Sequence, residues 1–261
     1  MNDPVEAFPD PIVESELWPG EKPVAKERPW GPLSTLALSV LVFLAYSVVQ
    51  TALVVVLSRP DHSFSPVPFL PIDGWGMMWA TLLSAPFGVG ACWGLARLRG
   101  PSTRDYLGLR WPSGKTVALC VGLYLVLVAA LDSLSYVLDQ PVDAGFTQKL
   151  YRSGGTLWAL WLGLAVGAPL FEETLMRGFL FRGLVDSRLG HAGAVVLTAI
   201  VFTLPHMQYN VYGMAHILVV GLVLGTVRDR TGSTWLTMLL HAVQNTAALA
   251  EVALSLGTWP G

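Results

Sequence analysis

Long apolar segments dominate this chain and restrict it to folds that a lipid bilayer can hold. Seven runs are uncharged or nearly so, and most reach the ~20 residues that a helix needs to cross the hydrocarbon core. In lipid, each backbone N–H and C=O must find a partner within the helix, so these runs favour α-helices. We therefore predict an all-α, polytopic transmembrane helical bundle of about seven spans, six to eight in all. The runs cover residues 33–57, 74–96, 116–138, 156–184, 191–207, 210–228 and 232–256.

The composition agrees with a membrane protein and excludes a nucleic-acid partner. Hydrophobic residues make up 53% of the 261 residues and charged residues only 13%, a balance that soluble domains do not usually reach. The formal net charge is -2, and basic residues do not cluster with aromatic ones. The bilayer is the expected surrounding, and we predict an integral membrane protein, in the inner (plasma) membrane of a bacterium.

Charge and proline content divide the chain into three parts. Residues 1–30 are acidic and Pro-rich and lack the pattern of a signal peptide, so we expect a disordered cytoplasmic tail. Residues 31–150 are predicted to form N-terminal transmembrane helices, and residues 151–256 a catalytic transmembrane core. With the N-terminus inside, twelve Lys and Arg residues fall in inner segments and three in outer ones, while Arg177 lies within a span. The excess of basic residues predicts a cytoplasmic N-terminus.

The fourth apolar run contains an acidic pair. Glu172 and Glu173 interrupt it, followed by Arg177. A charge near the centre of a spanning helix costs about 2.5–3.5 kcal/mol, so such residues usually mark function. Glu173 and Arg177 are four residues apart and can pair, which leaves Glu172 free to act as a general base or acid. The alternative is a helix cap at the membrane surface, with Arg177 reaching the headgroups.

Further polar residues interrupt the last runs at helical spacing. His206 follows Phe202 by four residues, and Asn245 follows His241 by four. Helix rise places Glu172, His206 and His241 in one layer of the bilayer. His216 is expected to form a packing hydrogen bond between helices instead. Pro169 and Pro205 should open their helices next to the site and admit water.

A carboxylate, two imidazoles and a carboxamide around a wet cavity suit amide hydrolysis. A base can deprotonate water, donors can hold the oxyanion, and an acid can protonate the leaving amine. The sequence has no HExxH motif, and neither Cys92 nor Cys120 has a His or Glu in helical register.

The motifs Glu172-Glu173-xxx-Arg177, Phe202-xxx-His206 and His241-xxx-Asn245 resemble, in this order, the three motifs of the CPBP intramembrane proteases. That family includes the type II CAAX prenyl endopeptidases and the abortive-infection and bacteriocin-related homologues. The resemblance covers residues 156–250. It implies that Glu172 and His206 activate water, that His241 and Asn245 stabilise the oxyanion, and that Glu173 and Arg177 hold the geometry.

The resemblance also implies a metal-free glutamate protease, so no cofactor is expected. Zinc bound by Glu172, His206 and His241 is the alternative, because one carboxylate and two imidazoles form a common zinc ligand set. The expected partner is a membrane-anchored or lipid-modified protein or peptide, and the residues do not choose a particular substrate or an oligomeric state. Two other classes fit the buried polar groups: a non-catalytic immunity or scaffold protein, and a proton-coupled transporter.

Overall fold

The computed structural model describes residues 29–59, 61, 64–67, 70–100, 102–140, 145–154 and 157–257. The predicted tail lies outside these residues, apart from its last two positions. Helices form almost all of the described part, and a short antiparallel hairpin of β1 and β2 follows the first helix. The elements are α1 (Pro32–Leu57), β1 (Phe64–Val67), β2 (Leu70–Ile72), α2 (Gly74–Arg97), α3 (Thr103–Tyr106), α4 (Gly114–Val137), α5 (Phe146–Gly154), α6 (Leu157–Trp161), α7 (Ala168–Glu173), α8 (Phe181–Val185), α9 (Gly190–Thr203), α10 (Val211–Thr231) and α11 (Thr234–Ser255).

The predicted all-α membrane bundle is confirmed, and each of the seven apolar runs coincides with helix to within a few residues. Within the described part of the chain, five helical stretches are long and apolar enough to cross a membrane. Two predicted spans fall outside that set. The stretch Gly190–His206 is shorter, and α11 has 22 residues but carries polar side chains that lower its hydropathy. All seven predicted runs are therefore helical, and five of them are long and apolar enough to cross a membrane.

The stretch Trp158–Val185 is continuous but is not a uniform α-helix. Two π-helical segments, Leu162–Gly167 and Thr174–Leu180, lie on either side of α7. A π-helix adds a residue to each turn and changes the direction of the side chains, and such segments are frequent at functional sites. The two glutamates at the end of α7 therefore lie between two widened turns.

Small residues allow two of the helices to pack closely. A Cβ atom at Gly221 in α10 would lie 3.2 Å from the backbone of Ala199 in α9, and one at Gly225 would lie 3.2 Å from Val195. The predicted close packing at this pair of glycines is confirmed. The same prediction for Gly90 and Gly94 in α2 is wrong within the described part of the chain, because no atom lies within 4 Å of either added Cβ.

Contacts at the two ends of the bundle show how the helices alternate in direction. At one end, Thr234 at the start of α11 donates to Gly108 O after α3. At the other end, the Arg59 guanidinium after α1 pairs with Asp73 at 2.9 Å, and Asp73 also caps the N-terminus of α2. The end that contains Gly108 carries most of the basic residues, so it is the one that the charge pattern assigns to the cytoplasm.

Arg228, one of the basic residues assigned to the inner segments, is a buried residue of a helix. Arg228 lies inside α10, which continues to Thr231. Its side chain is buried, and its Nε donates to Arg177 O at 2.8 Å. The carbonyl that accepts this hydrogen bond belongs to a π-helical segment, so Arg228 helps to hold the irregular helix next to α10.

Candidate active site

Glu173 and Arg177 form the ion pair that their spacing predicts. Arg177 Nη1 lies 2.9 Å from Glu173 Oε1, and both side chains are fully buried. Arg177 Nη2 also donates to Gly221 O in α10 at 3.0 Å, and its guanidinium lies 4.6 Å from the ring centroid of Phe202 in α9. The surface-cap alternative is therefore wrong, because the arginine points into the bundle and joins three of its helices.

His241 from α11 contacts both glutamates. Its Nδ1 lies 3.0 Å from Glu173 Oε1, and its Nε2 lies 3.9 Å from Glu172 Oε2. Glu173 therefore orients the ring through a carboxylate–imidazole hydrogen bond, in addition to its pairing with Arg177. Glu172 is different, since 29% of its side chain is exposed. The two adjacent glutamates thus have separate surroundings, as the sequence predicts.

His206 lies where α9 ends. The α-helix stops at Thr203, and a 3₁₀ turn, Leu204–His206, follows with Pro205 inside it. This confirms that Pro205 opens its helix. Nδ1 of His206 lies 2.9 Å from Phe202 O, and because a carbonyl can only accept, Nδ1 carries the proton. Nε2 of the neutral ring then presents a lone pair.

Asn245 occupies the position that Pro169 leaves open. In the π-helical segment, Ala168 N–H donates to Gly163 O, five residues earlier. By the same spacing Leu164 O would accept from residue 169, which is a proline without an N–H. Asn245 Nδ2 donates to Leu164 O at 2.7 Å instead. One of its two amide hydrogens is therefore used for structure, and the second is left for chemistry.

The structure brings most of the predicted site residues together. The ring centroid of Phe202 lies 5.1 Å from that of His206 and 5.6 Å from that of His241, so this ring contacts both imidazoles. Among the described residues, no group of three or more His, Cys, Asp or Glu side chains is arranged to hold a metal ion. The alternative of zinc bound by Glu172, His206 and His241 stays an untested prediction.

A cavity of about 510 Å³ opens at the site. One part of it is lined by Phe202, His206, His241 and Asn245. Glu172 does not line the cavity, but its carboxylate contacts His241, which does. The sequence places Glu172 at the centre of the site. In the structure, His241 is the residue that contacts both glutamates and also faces the cavity.

Several residues of the cavity were not identified from the sequence. Asp132 in α4 and Glu251 in α11 line it, and both are ionisable residues within apolar runs, which is the signal that also marks Glu172. His216 in α10 lines it as well. The predicted packing hydrogen bond of His216 is wrong for Nδ1, which is buried and lacks a partner within the described part of the chain.

These features define a helical integral membrane protein with a buried ion pair, two imidazoles and a carboxamide at a cavity inside the bundle. Residues 154–247 match the family model of the type II CAAX prenyl endopeptidases, Rce1-like. This match covers residues 154–247 and agrees with the resemblance that the three motifs show.

One curated relative has an uninformative name. The chain is 31% identical over 149 residues to an uncharacterized 24.3 kDa protein of Escherichia coli. The matched region covers 55% of this chain and 64% of that relative, a little under two thirds of its length. No solved structure matches the chain.

Proposed function

We propose that this protein is an intramembrane endopeptidase that hydrolyses a peptide bond in a membrane-anchored or lipid-modified protein or peptide, using water activated by a glutamate. The observation that supports this most strongly is the position of His241, which contacts Glu172 and Glu173 and also lines the cavity. The family model that matches residues 154–247 supports the same class of reaction.

In this proposal, Glu172 and His206 activate the water. Glu172 is the partly exposed carboxylate, and Nε2 of His206 carries the lone pair of the neutral ring when Nδ1 donates to Phe202 O. Either group can accept a proton from a water molecule as the water attacks the carbonyl carbon. The proton then passes to the leaving amine as the tetrahedral intermediate collapses.

Stabilisation of the oxyanion falls to Asn245 and His241. The second amide hydrogen of Asn245 remains after the first is donated to Leu164 O, and a fixed amide donor is what an oxyanion site requires. Nε2 of His241 can donate only in the form that carries a proton on both ring nitrogens, since Nδ1 already donates to Glu173. Glu173 and Arg177 act as positioning residues, because both side chains are fully buried and Glu173 holds the ring of His241.

The test replaces Glu172 with Gln, which keeps the size of the side chain and removes the base. The chain termini of membrane proteins are then compared by mass spectrometry between cells with the native protein and cells with Glu172→Gln. We expect a set of cleavage products to disappear from the cells with Glu172→Gln. With a purified substrate, the rate of cleavage should fall by at least about 100-fold, as is typical for the loss of a general base.

Asp105→Asn provides a matched control. Asp105 is exposed and pairs with Arg110 near the predicted cytoplasmic end, away from the site. If membrane proteins have the same termini in the Glu172→Gln and native cells, this result would contradict a protease and favour a scaffold. Loss of cleavage on chelation, together with stoichiometric zinc in the pure protein, would contradict the metal-free mechanism.

A further inference from the structure

Beyond the candidate catalytic residues, the cavity has a second part with a distinct chemical character. Asp132, Asp139 and Glu251 line it, and no Lys or Arg is found among its described lining residues. All three carboxylates lie near the C-terminal ends of α4 and α11, at the end of the bundle opposite Gly108. By the predicted topology, this is the outer face of the membrane.

Two of these carboxylates face each other. Glu251 in α11 and Asp132 in α4 are within hydrogen-bonding contact, and the basic group close to Asp132 is the imidazole of His216 in α10. Two carboxylates in contact cannot both keep their charge unless a proton or a cation lies with them. A positively charged group that enters the cavity would remove this repulsion and gain two charge-assisted hydrogen bonds.

A second observation concerns a buried polar atom in the same part of the cavity. His216 lines the cavity, its side chain is only 7% exposed, and its Nδ1 has no hydrogen-bond partner in the described chain. A buried polar atom without a partner is destabilising, so a ligand that supplies a partner to this ring would offset that cost. Gln244, which is next to the site on α11, also lines the cavity and extends its polar wall.

The distances suit a peptide that spans both parts of the cavity. Glu251 follows Asn245 by six residues and His241 by ten, which corresponds to about 9 and 15 Å along α11 at 1.5 Å per residue. An extended peptide advances about 3.3–3.6 Å per residue, so three to five residues cover this distance.

We infer that Asp132 and Glu251 bind a basic side chain of the substrate, three to five residues from the bond that is cleaved. The site thereby selects peptides that present Lys or Arg at the outer face of the membrane. This inference rests on the proposed function for the position of the cleaved bond, but the binding itself can be measured without catalysis.

The experiment uses the full chain with Glu172→Gln in lipid nanodiscs, so that no peptide is consumed. The probe is an acetylated eight-residue peptide of Leu and Ala with one Arg, and the matched probe has citrulline in place of Arg. Citrulline keeps the shape and removes the charge. We expect the Arg peptide to bind at least about tenfold more tightly, which corresponds to about 1.4 kcal/mol.

The preference must disappear when the two carboxylates are replaced. Adding Asp132→Asn and Glu251→Gln should leave both peptides with equal affinity, while adding Asp105→Asn should preserve the tenfold difference. Equal binding of the Arg and citrulline peptides before these replacements would overturn the inference, and so would a preference that survives them. Melting temperatures of all variants establish that they remain folded.

Failure of this inference can be told apart from failure of the proposed function. If cleavage products depend on Glu172 but show no Lys or Arg three to five residues from the cleaved bond, the protease stands and the acidic subsite does not. If no product depends on Glu172 but the Arg peptide still binds through Asp132 and Glu251, the site recognises a basic ligand without cleaving it.

Discussion

Replacing Arg177 with Met should destabilise the protein far more than the loss of an exposed ion pair would. The guanidinium is fully buried, pairs with Glu173 at 2.9 Å and donates to Gly221 O at 3.0 Å. Arg177→Met keeps most of the side-chain volume but leaves the Glu173 carboxylate buried without its guanidinium partner. Breaking a buried ion pair by removing one partner costs about 3–5 kcal/mol.

That cost can be read as a change in melting temperature. One kcal/mol shifts the melting temperature by about 2–4 °C for a protein of roughly this size, so Arg177→Met should lower it by about 6–20 °C. The assay heats the detergent-solubilised protein and follows the loss of its monodisperse peak in size-exclusion chromatography.

The same stretch of helix offers a matched control. Arg182 also pairs with an acidic residue four positions away, Asp186, but that acidic side chain is 58% exposed. Exposed pairs contribute about 0–1 kcal/mol, so Arg182→Met should lower the melting temperature by no more than about 4 °C. Adding Glu173→Gln to Arg177→Met should recover part of the loss, because the unpaired charge is removed. Equal melting temperatures for the two single variants would refute the assignment of Arg177–Glu173 as a buried pair.

Two more predictions concern packing and the irregular helix. Gly221→Leu should lower the melting temperature by several degrees, because overpacking costs about 1–3 kcal/mol and an added Cβ lies 3.2 Å from the Ala199 backbone. Gly90→Leu, with no atom within 4 Å of the added Cβ, should be close to neutral, and the reverse order would contradict the packing of α9 on α10. Asn245→Ala should cost about 1–3 kcal/mol of unfolding free energy, because Leu164 O is left without a donor. An Asn245→Ala protein with native stability and no cleavage would show instead that the amide serves catalysis alone.

The helices and the first ion pair were predictable because both depend on residues close together in the chain. The apolar runs gave the bounds of α1, α2 and α4 to within about two residues, since hydrocarbon thickness sets the length of a spanning helix. The Glu173–Arg177 pair follows from the spacing of four residues on one helix face. The positions of Pro169 and Pro205 likewise predicted irregular helix, since a missing N–H is a property of the residue itself.

The sequence also indicated which residue types carry the chemistry, but not how they divide it. Glu173 was predicted mainly as the partner of Arg177, whereas in the structure it also orients His241, 68 residues away. Asp132 and Glu251 were visible as charges in apolar runs, but only their contact across α4 and α11 marks them as one feature.

What the sequence determined by itself was therefore the bundle of apolar helices, the intrusion of polar residues into them and the family that their motifs resemble. The tertiary structure decided which of these residues meet. Asn245 donates to Leu164 O across 81 residues, and His241 reaches two glutamates on another helix. Such contacts depend on how helices cross and on the directions that the π-helical turns give to their side chains. Periodicity along one chain segment fixes the face of a helix, while the neighbour of that face is set only by packing of the whole bundle.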